Sequence, residues 1–501
     1  MERLLSNEMA RRILLLSMLH DTEDWITTEA LSTRLRCSPK TIMMDCRYLE
    51  NHWPEFLSID TSKKHGVKLF LSIHHSVHEV YIDIIKSSEA FSLMETIFFY
   101  PGETSEELEK RCFMSSSTLY RLTKKFKQPL KERNMTLSRN PFVISGKSER
   151  EIRFFFTAYF VEAYGIHHWP FQLKKDKIIQ LVRRINDDFQ LYLSDIRMMH
   201  MAFSIAVTIT RISQGFVAQS EMREKDRTTI KKQKGLHQAY RQDLDSIIDD
   251  THLSADCNWY RDFYYTVFWW IFGWDSEKEH QHVHKLGGQL IETIAEDASI
   301  TIDALSKRKI IQTIENIYCQ HMIFPYKNFM IYSRFFYSSK SIQQNSLYFS
   351  SVVSKRLFQI EQAENFPWKS MYFNELLHDM AIYWDDLPKL LTSRIAKVSI
   401  TVFSDLGKEH AEALGSILIM NFPDKISVKT QSGSFFDITE ENKLLDSDLY
   451  VSNFSNDHFP QSNTVDVDED LNQKDLAEMK KSIESIRINL FTESKKALKS
   501  S

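Results

Sequence analysis

One pattern occurs twice in this chain, and it limits the possible folds more than any other feature. The first copy is Cys37-Ser38-Pro39-Lys40-Thr41-Ile42-Met43-Met44-Asp45-Cys46-Arg47-Tyr48-Leu49; the second, 77 positions on, is Met114-Ser115-Ser116-Ser117-Thr118-Leu119-Tyr120-Arg121-Leu122-Thr123-Lys124-Lys125-Phe126. Ser38 can cap a helix that Pro39 opens, because the missing proline N–H costs nothing at a helix start. Ile42, Cys46 and Leu49 then share one side at helical spacing, leaving Lys40, Met43, Met44 and Arg47 on the other. In the second copy Ser115, Thr118, Leu119, Phe126 and Lys124 take the places of Ser38, Thr41, Ile42, Leu49 and Arg47. The preceding helix repeats at the same offset, Thr27 with Thr104, Leu31 with Leu108 and Leu35 with Cys112. A self-similar pair is stronger evidence of a structural unit than either copy alone.

Each copy is followed by a hairpin. Leu57-Ser58-Ile59-Asp60 and Val67-Lys68-Leu69-Phe70-Leu71 alternate at strand period around Lys63-Lys64-His65-Gly66, which predicts a wing whose basic tip suits phosphate. Met135-Thr136-Leu137-Ser138 and Phe142-Val143-Ile144-Ser145-Gly146 predict the second wing. Thr104 and Glu107 have capping-box spacing, so a helix opens there and ends near Arg111. The second repeated helix is expected to run to Gln128-Pro129. In a winged helix-turn-helix the start of the second helix meets base edges while flanking groups hold phosphates. The candidate DNA contacts are therefore Lys40, Thr41, Met44 and Arg47 in the first unit, Ser117, Tyr120, Arg121 and Lys124 in the second, and Lys63, Lys64 and His65 on the wing. The bland alternative is two helical pairs whose charged outer faces are only solvated.

Length and composition set the frame. A chain of 501 residues exceeds what one core usually supports, so several domains are expected. With only 12 glycines and 11 prolines, few tight hairpins can form and the fold class is mainly α. Net charge is −4 overall; residues 1–150 hold 22 Lys or Arg against 20 Asp or Glu, a mild excess that permits a basic face but not a sequence-blind basic coat. The five cysteines, at 37, 46, 112, 257 and 319, include no C-x-x-C pair, which argues against a disulfide framework or zinc ribbon. The most apolar run, Phe263 to Trp274, is far short of the ~20 residues a membrane span needs, and Met1 to Arg12 carries charges where a secretory signal would be apolar. A cytoplasmic protein without membrane partners is expected.

The organisation follows: residues 1–75 and 76–150 each hold one winged unit, helical periodicity dominates 151–286 and 287–394 as two bundles of roughly five helices, and 395–501 form a small α/β domain. In the last, Ala396 to Phe403, Lys425 to Thr430 and Ser447 to Ser452 read as strands, Lys408 to Phe422 as a helix, Asp466 to Asp470 as an acidic linker, and Leu471 to Phe491 as a terminal helix. The dense charge run Lys225 to Lys234 reads as a solvated helix face or loop. Among possible chemical sites, His200 sits in a helix with apolar neighbours and His321 in a comparable place in the second bundle; an imidazole nitrogen can accept a phosphoryl group, and the added charge could alter packing between subunits. His280, His282 and His284 alternate; alternate residues do not share a helix face, and no carboxylate or cysteine spacing supports a site, so no metal site is expected. The loop Phe403 to His410 has no cysteine and one glycine, and the chain contains no Walker sequence and no G-x-S-x-G. No enzyme and no cofactor are expected.

With these motifs in this order, the chain resembles the Mga and AtxA family of virulence and global regulators of Gram-positive bacteria. The resemblance implies two N-terminal winged helix-turn-helix units, two phosphotransferase regulatory domains, and a C-terminal domain similar to a phosphotransferase EIIB. It also implies a DNA-binding transcription regulator that forms a homodimer and is phosphorylated on histidine by HPr or Enzyme I of the phosphotransferase system, with His200 and His321 matching the early histidines of the two regulatory domains. Around Tyr264 to Trp274, where the family often has another histidine, this chain has aromatics. Its first EIIB-like loop lacks the phosphoryl cysteine of an active EIIB. The rival readings are an architectural protein that bends DNA with little base readout, an RNA-binding antiterminator, and a phosphotransfer enzyme.

Overall fold

The computed structural model describes the chain apart from residues 23, 219–221, 224, 227–233, 249–252, 254–256, 395–396, 431–445, 456–460 and 501. Most of the charge run at 225–234 lies outside the described residues; of its three described members, Lys225 pairs with Asp275 at 3.0 Å.

A short turn at Glu2–Leu4 leads into α1 (Asn7–His20), α2 (Thr28–Leu35), α3 (Pro39–His52), and a hairpin of β1 (Leu57–Ser62) and β2 (Gly66–Leu71). After α4 (Val77–Ser87) and α5 (Glu89–Phe99), the same series returns as α6 (Ser105–Cys112), α7 (Ser116–Lys131), β3 (Met135–Arg139) and β4 (Phe142–Gly146). Both hairpins are antiparallel, with Leu57 opposite Leu71 in the first and Met135 opposite Gly146 in the second. The helix α7 continues through Pro129 to Lys131, two residues beyond the expected stop. Near a C-terminus proline removes a single N–H bond, and burial of Pro129 and Leu130 keeps that turn helical.

The chain divides into two compact units, Met1–His284 with Gln312–Arg334, and Lys285–Ile311 with Phe335–Ser501. In the first, α8 (Glu149–Tyr164) is enclosed on nearly every side: Phe154, Phe155, Phe156, Tyr159 and Phe160 are all buried. Around it pack α4, β4 and α10 (Asp195–Ser213), and α9 (Lys175–Phe189) lies against α10. Two buried arginines inside this core are paired with carboxylates, as their desolvation requires. Arg153 meets Asp262 at 2.9 Å and donates to Thr266 at 2.8 Å, while Arg211 and Glu149 are 2.7 Å apart. The aromatics at 264–274 form packing surface, with Tyr264, Tyr265, Phe268 and Phe272 buried.

The second unit ends in a parallel four-stranded sheet of order β6-β5-β7-β8, where β5 is Val398–Phe403, β6 Ile426–Thr430, β7 Leu449–Ser452 and β8 Thr464–Asp466. Val398, Ile400, Val402 and Val451 are buried against the helices Lys408–Asn421 and Gln473–Ser500, through Leu414, Leu418, Met479 and Ile483. The strand β8 was not expected, since three residues are too few to display a strand period, and the terminal helix begins two residues later and ends nine residues later than expected. No helix among the described residues is long and apolar enough to cross a membrane.

Candidate nucleic-acid interface

The two winged units are built by the same local rules. Thr27 and Thr104 cap α2 and α6 by accepting from Ala30 N–H and Glu107 N–H, and the Glu107 side chain returns a bond to Thr104 N–H. Ser38 and Ser115 cap α3 and α7 by accepting from Thr41 N–H and Thr118 N–H. Between the paired helices the chain turns through one residue in the left-handed region, Arg36 at φ 51° and Phe113 at φ 52°. Four buried positions then hold each second helix to its unit: Ile42, Cys46, Leu49 and Asp45 in the first, Leu119, Thr123, Phe126 and Leu122 in the second. The wing is tied back in both cases by a two-bond bridge. Ile26 and Val67 exchange backbone bonds of 2.9 and 2.8 Å, and Phe142 accepts from Gly102 at 2.9 Å and donates to Glu103 at 3.0 Å. At Gly66 the approach is so close that a Cβ would sit 2.1 Å from the Ile26 carbonyl oxygen, so only glycine fits there, where φ is +99°.

These constraints leave one face of each second helix open. On α3, Lys40, Met44 (61% exposed) and Arg47 project outward. Thr41 is half-buried, and its hydroxyl lies 2.9 Å from that of Ser38. Met43, expected on the outer face, instead packs against the core, because that position faces the flank of the unit. On α7, Ser117, Tyr120 (61% exposed), Arg121 and Lys124 all point out. The Ser117 hydroxyl lies 2.9 Å from Ser115, and Arg121 pairs with Glu89 at 3.2 Å, both partners well exposed. Lys63, Lys64 and His65 form the exposed three-residue tip of the first wing, where Ser62 Oγ accepts from the backbone of Lys64 and His65. Every candidate contact is therefore exposed except Thr41, which is half-buried and engaged in the cap.

Two features went unread in the sequence. Asp45 is buried and gathers Arg11 at 2.6 Å and Arg12 at 2.9 Å, with the Arg12 guanidinium 3.4 Å from the Tyr48 ring centroid. This locks α1 onto α3. An acidic residue on the inner side of a helix, with two adjacent arginines upstream, is the signal that could have found it. On the second wing, Arg139 lies 5.3 Å over the Tyr120 ring, adding a cation to the open face of α7. The segment before α1 also reaches this unit, since Arg3 pairs with Glu132 at 2.5 Å and Leu5 O accepts from Lys125 at 3.4 Å.

The histidines occupy different surroundings. His200 on α10 is half-buried, and the Asn328 amide nitrogen lies 3.3 Å from its Nε2. Burial, with help from the nearby Arg197 charge, lowers its pKa to about 4, so the ring is neutral near pH 7. His321, in the helix Ala304–Ile323, is also half-buried, and burial lowers its pKa. His280 and His284, four apart, do share a helix face: both lie against Glu315 Oε1, at 3.3 and 2.8 Å. Contrary to expectation, alternation takes only His282 off that face. Among the described residues no group of three His, Cys, Asp or Glu could hold a metal ion.

Comparison with known proteins falls on the same two units. Residues 7–65 match the helix-turn-helix domain of the M protein trans-acting positive regulator (MGA), and residues 74–160 match the Mga helix-turn-helix domain. The chain is similar to the capsule synthesis positive regulator AcpB of Bacillus anthracis, 26% identical over 43% of this chain and 45% of that protein. It is also similar to AcpA of the same organism, 27% identical over 42% and 44%. A trans-acting regulator of Streptococcus pneumoniae serotype 4 is 30% identical over 40% and 41%. The matched segment therefore spans a little under half the length of each relative.

Proposed function

We propose that the chain, whose residues 7–65 and 74–160 match Mga helix-turn-helix domains, is an Mga-like, DNA-binding positive regulator of transcription. The observation that carries this reading is the pair of outward faces on α3 and α7, each fixed by a serine cap and a buried inner side, and each flanked by a wing. Lys40, Met44 and Arg47 in one unit, and Ser117, Tyr120, Arg121 and Lys124 in the other, supply base-edge and phosphate contacts, and Lys63 and Lys64 hold the backbone. The relatives named as positive regulators of capsule synthesis support activation as the direction of control.

The finer reading covers the rest of the chain. The protein acts in the cytoplasm as a homodimer, the bundles at 151–286 and 287–394 are phosphotransferase regulatory domains, and 395–501 is an EIIB-like domain used for association. His200 and His321 accept a phosphoryl group from HPr or Enzyme I, the imidazole nitrogen attacking phosphorus as the donor's histidine leaves. In such a transfer the unprotonated imidazole nitrogen is the nucleophile.

A gel-shift series with the full chain, promoter duplexes and random duplexes tests the first part. Preference for particular promoters by about a thousandfold or more is expected; equal affinity for random and promoter DNA favours the bending protein, and no binding at all ends the reading. For the second part, incubation with Enzyme I, HPr and labelled phosphoenolpyruvate should label the chain, and His200→Ala with His321→Ala should abolish the label. A chain that stays unlabelled is not a substrate.

A further inference from the structure

The turn before α7 contains a residue that neither the backbone nor the core accounts for. Phe113 is 96% exposed and adopts φ 52° and ψ 41°. Its backbone is set by the turn, for Arg36 takes φ 51° and ψ 46° at the same place in the first unit, and both residues close their helix by donating N–H to a carbonyl four residues back, Ser32 and Glu109. Glycine or asparagine fills that conformation with less strain than a bulky side chain. A phenylalanine there adds strain and exposes its whole ring to water, a combination that no packing within the fold calls for.

Its place says what that is. Phe113 lies two residues before the Ser115 cap, at the end of α7 that presents Ser117, Tyr120 and Arg121, with Arg139 of the wing over Tyr120. A ring without a hydrogen-bond donor cannot hold a phosphate. Within reach of the start of a recognition helix, the apolar features of a duplex are the thymine methyl groups along the major groove. The aligned Arg36 is an exposed cation suited to a backbone phosphate. We propose that Phe113 is a DNA-contacting residue that packs on a thymine methyl at the rim of the major groove, and that Arg36 takes a phosphate at the corresponding place in the first half of the site. This deepens the DNA-binding reading above and rests on it.

The test uses the full chain, a duplex that it protects, and the same duplex with single thymines replaced by deoxyuracil, which lacks only the methyl group. Phe113→Asn keeps the turn, because asparagine tolerates the left-handed region. The variant is expected to bind about tenfold or more weakly, with the dependence on salt unchanged. One thymine-to-uracil position should weaken the unaltered chain similarly and leave Phe113→Asn unaffected. Arg36→Asn should instead lower the salt slope by about one and show no sensitivity to uracil. Equal affinity of Phe113→Asn and the unaltered chain overturns the inference, as does a loss that no uracil position reproduces. Failure of the unaltered chain to bind any duplex overturns the DNA-binding reading itself.

Discussion

The two winged units share a backbone plan and differ in how the second helix is held and in what it offers. In the first, α3 is anchored by a buried carboxylate between two arginines of α1; at the aligned position the second unit has Leu122, packed as an ordinary core residue. The wing tips differ as well. The first carries Lys63, Lys64 and His65 between its strands, the second only Asn140 and Pro141. On the outer faces, Lys40, Met44 and Arg47 correspond to Ser117, Arg121 and Lys124, while the exposed Tyr120 stands where the first unit has Met43, packed against the core. Caps, turn and inner apolar residues are thus common to both, while the residues that would meet a partner are not. Two units built this way carry different chemistry on their outer faces, which a duplicated pair of identical units could not do.

The largest effect that would break this comparison is on stability. Asp45→Ala leaves Arg11 and Arg12 without their carboxylate and should cost about 3 kcal/mol in urea unfolding; a change below measurement error would mean that α3 is not anchored in this way. Next, Tyr120→Ala should weaken binding by about 2 kcal/mol at one base-pair position of the site, while Met44→Ala acts at a different position. Loss spread evenly over all sequences would show that neither side chain reads bases. A smaller effect separates the wings. Lys63→Ala with Lys64→Ala should reduce the slope of log affinity against log salt by about two, whereas Asn140→Ala leaves it unchanged. Smallest on stability is Glu89→Ala, which breaks the exposed pair with Arg121 at a cost under about 1 kcal/mol and, by freeing that arginine, should tighten DNA binding slightly.

The local plan of these units was legible in the sequence because its causes are local. Ser38, Ser115 and Thr104 announce their helices within four residues, and the inner positions repeat at helical spacing. The anchor at Asp45 was not, since its partners lie 33 and 34 residues upstream and the helical pattern of α3, though it places Asp45 inward, says nothing of what meets it. The same holds for His200, whose partner Asn328 is 128 residues away, and for Arg139, which reaches Tyr120 only because the second wing folds back along α7. Pro129 misled for the opposite reason: a strong local stop signal yielded to burial of its neighbours. Length defeated the reading of β8, whose three residues acquire meaning only beside β7.

Hydroxyl-radical footprinting of the full chain on a promoter that it selects tests the central claim most directly. The account predicts two separate protected stretches on one duplex, one lost on changing Arg47 to alanine and the other on changing Lys124 to alanine. A single stretch that survives both substitutions would contradict it.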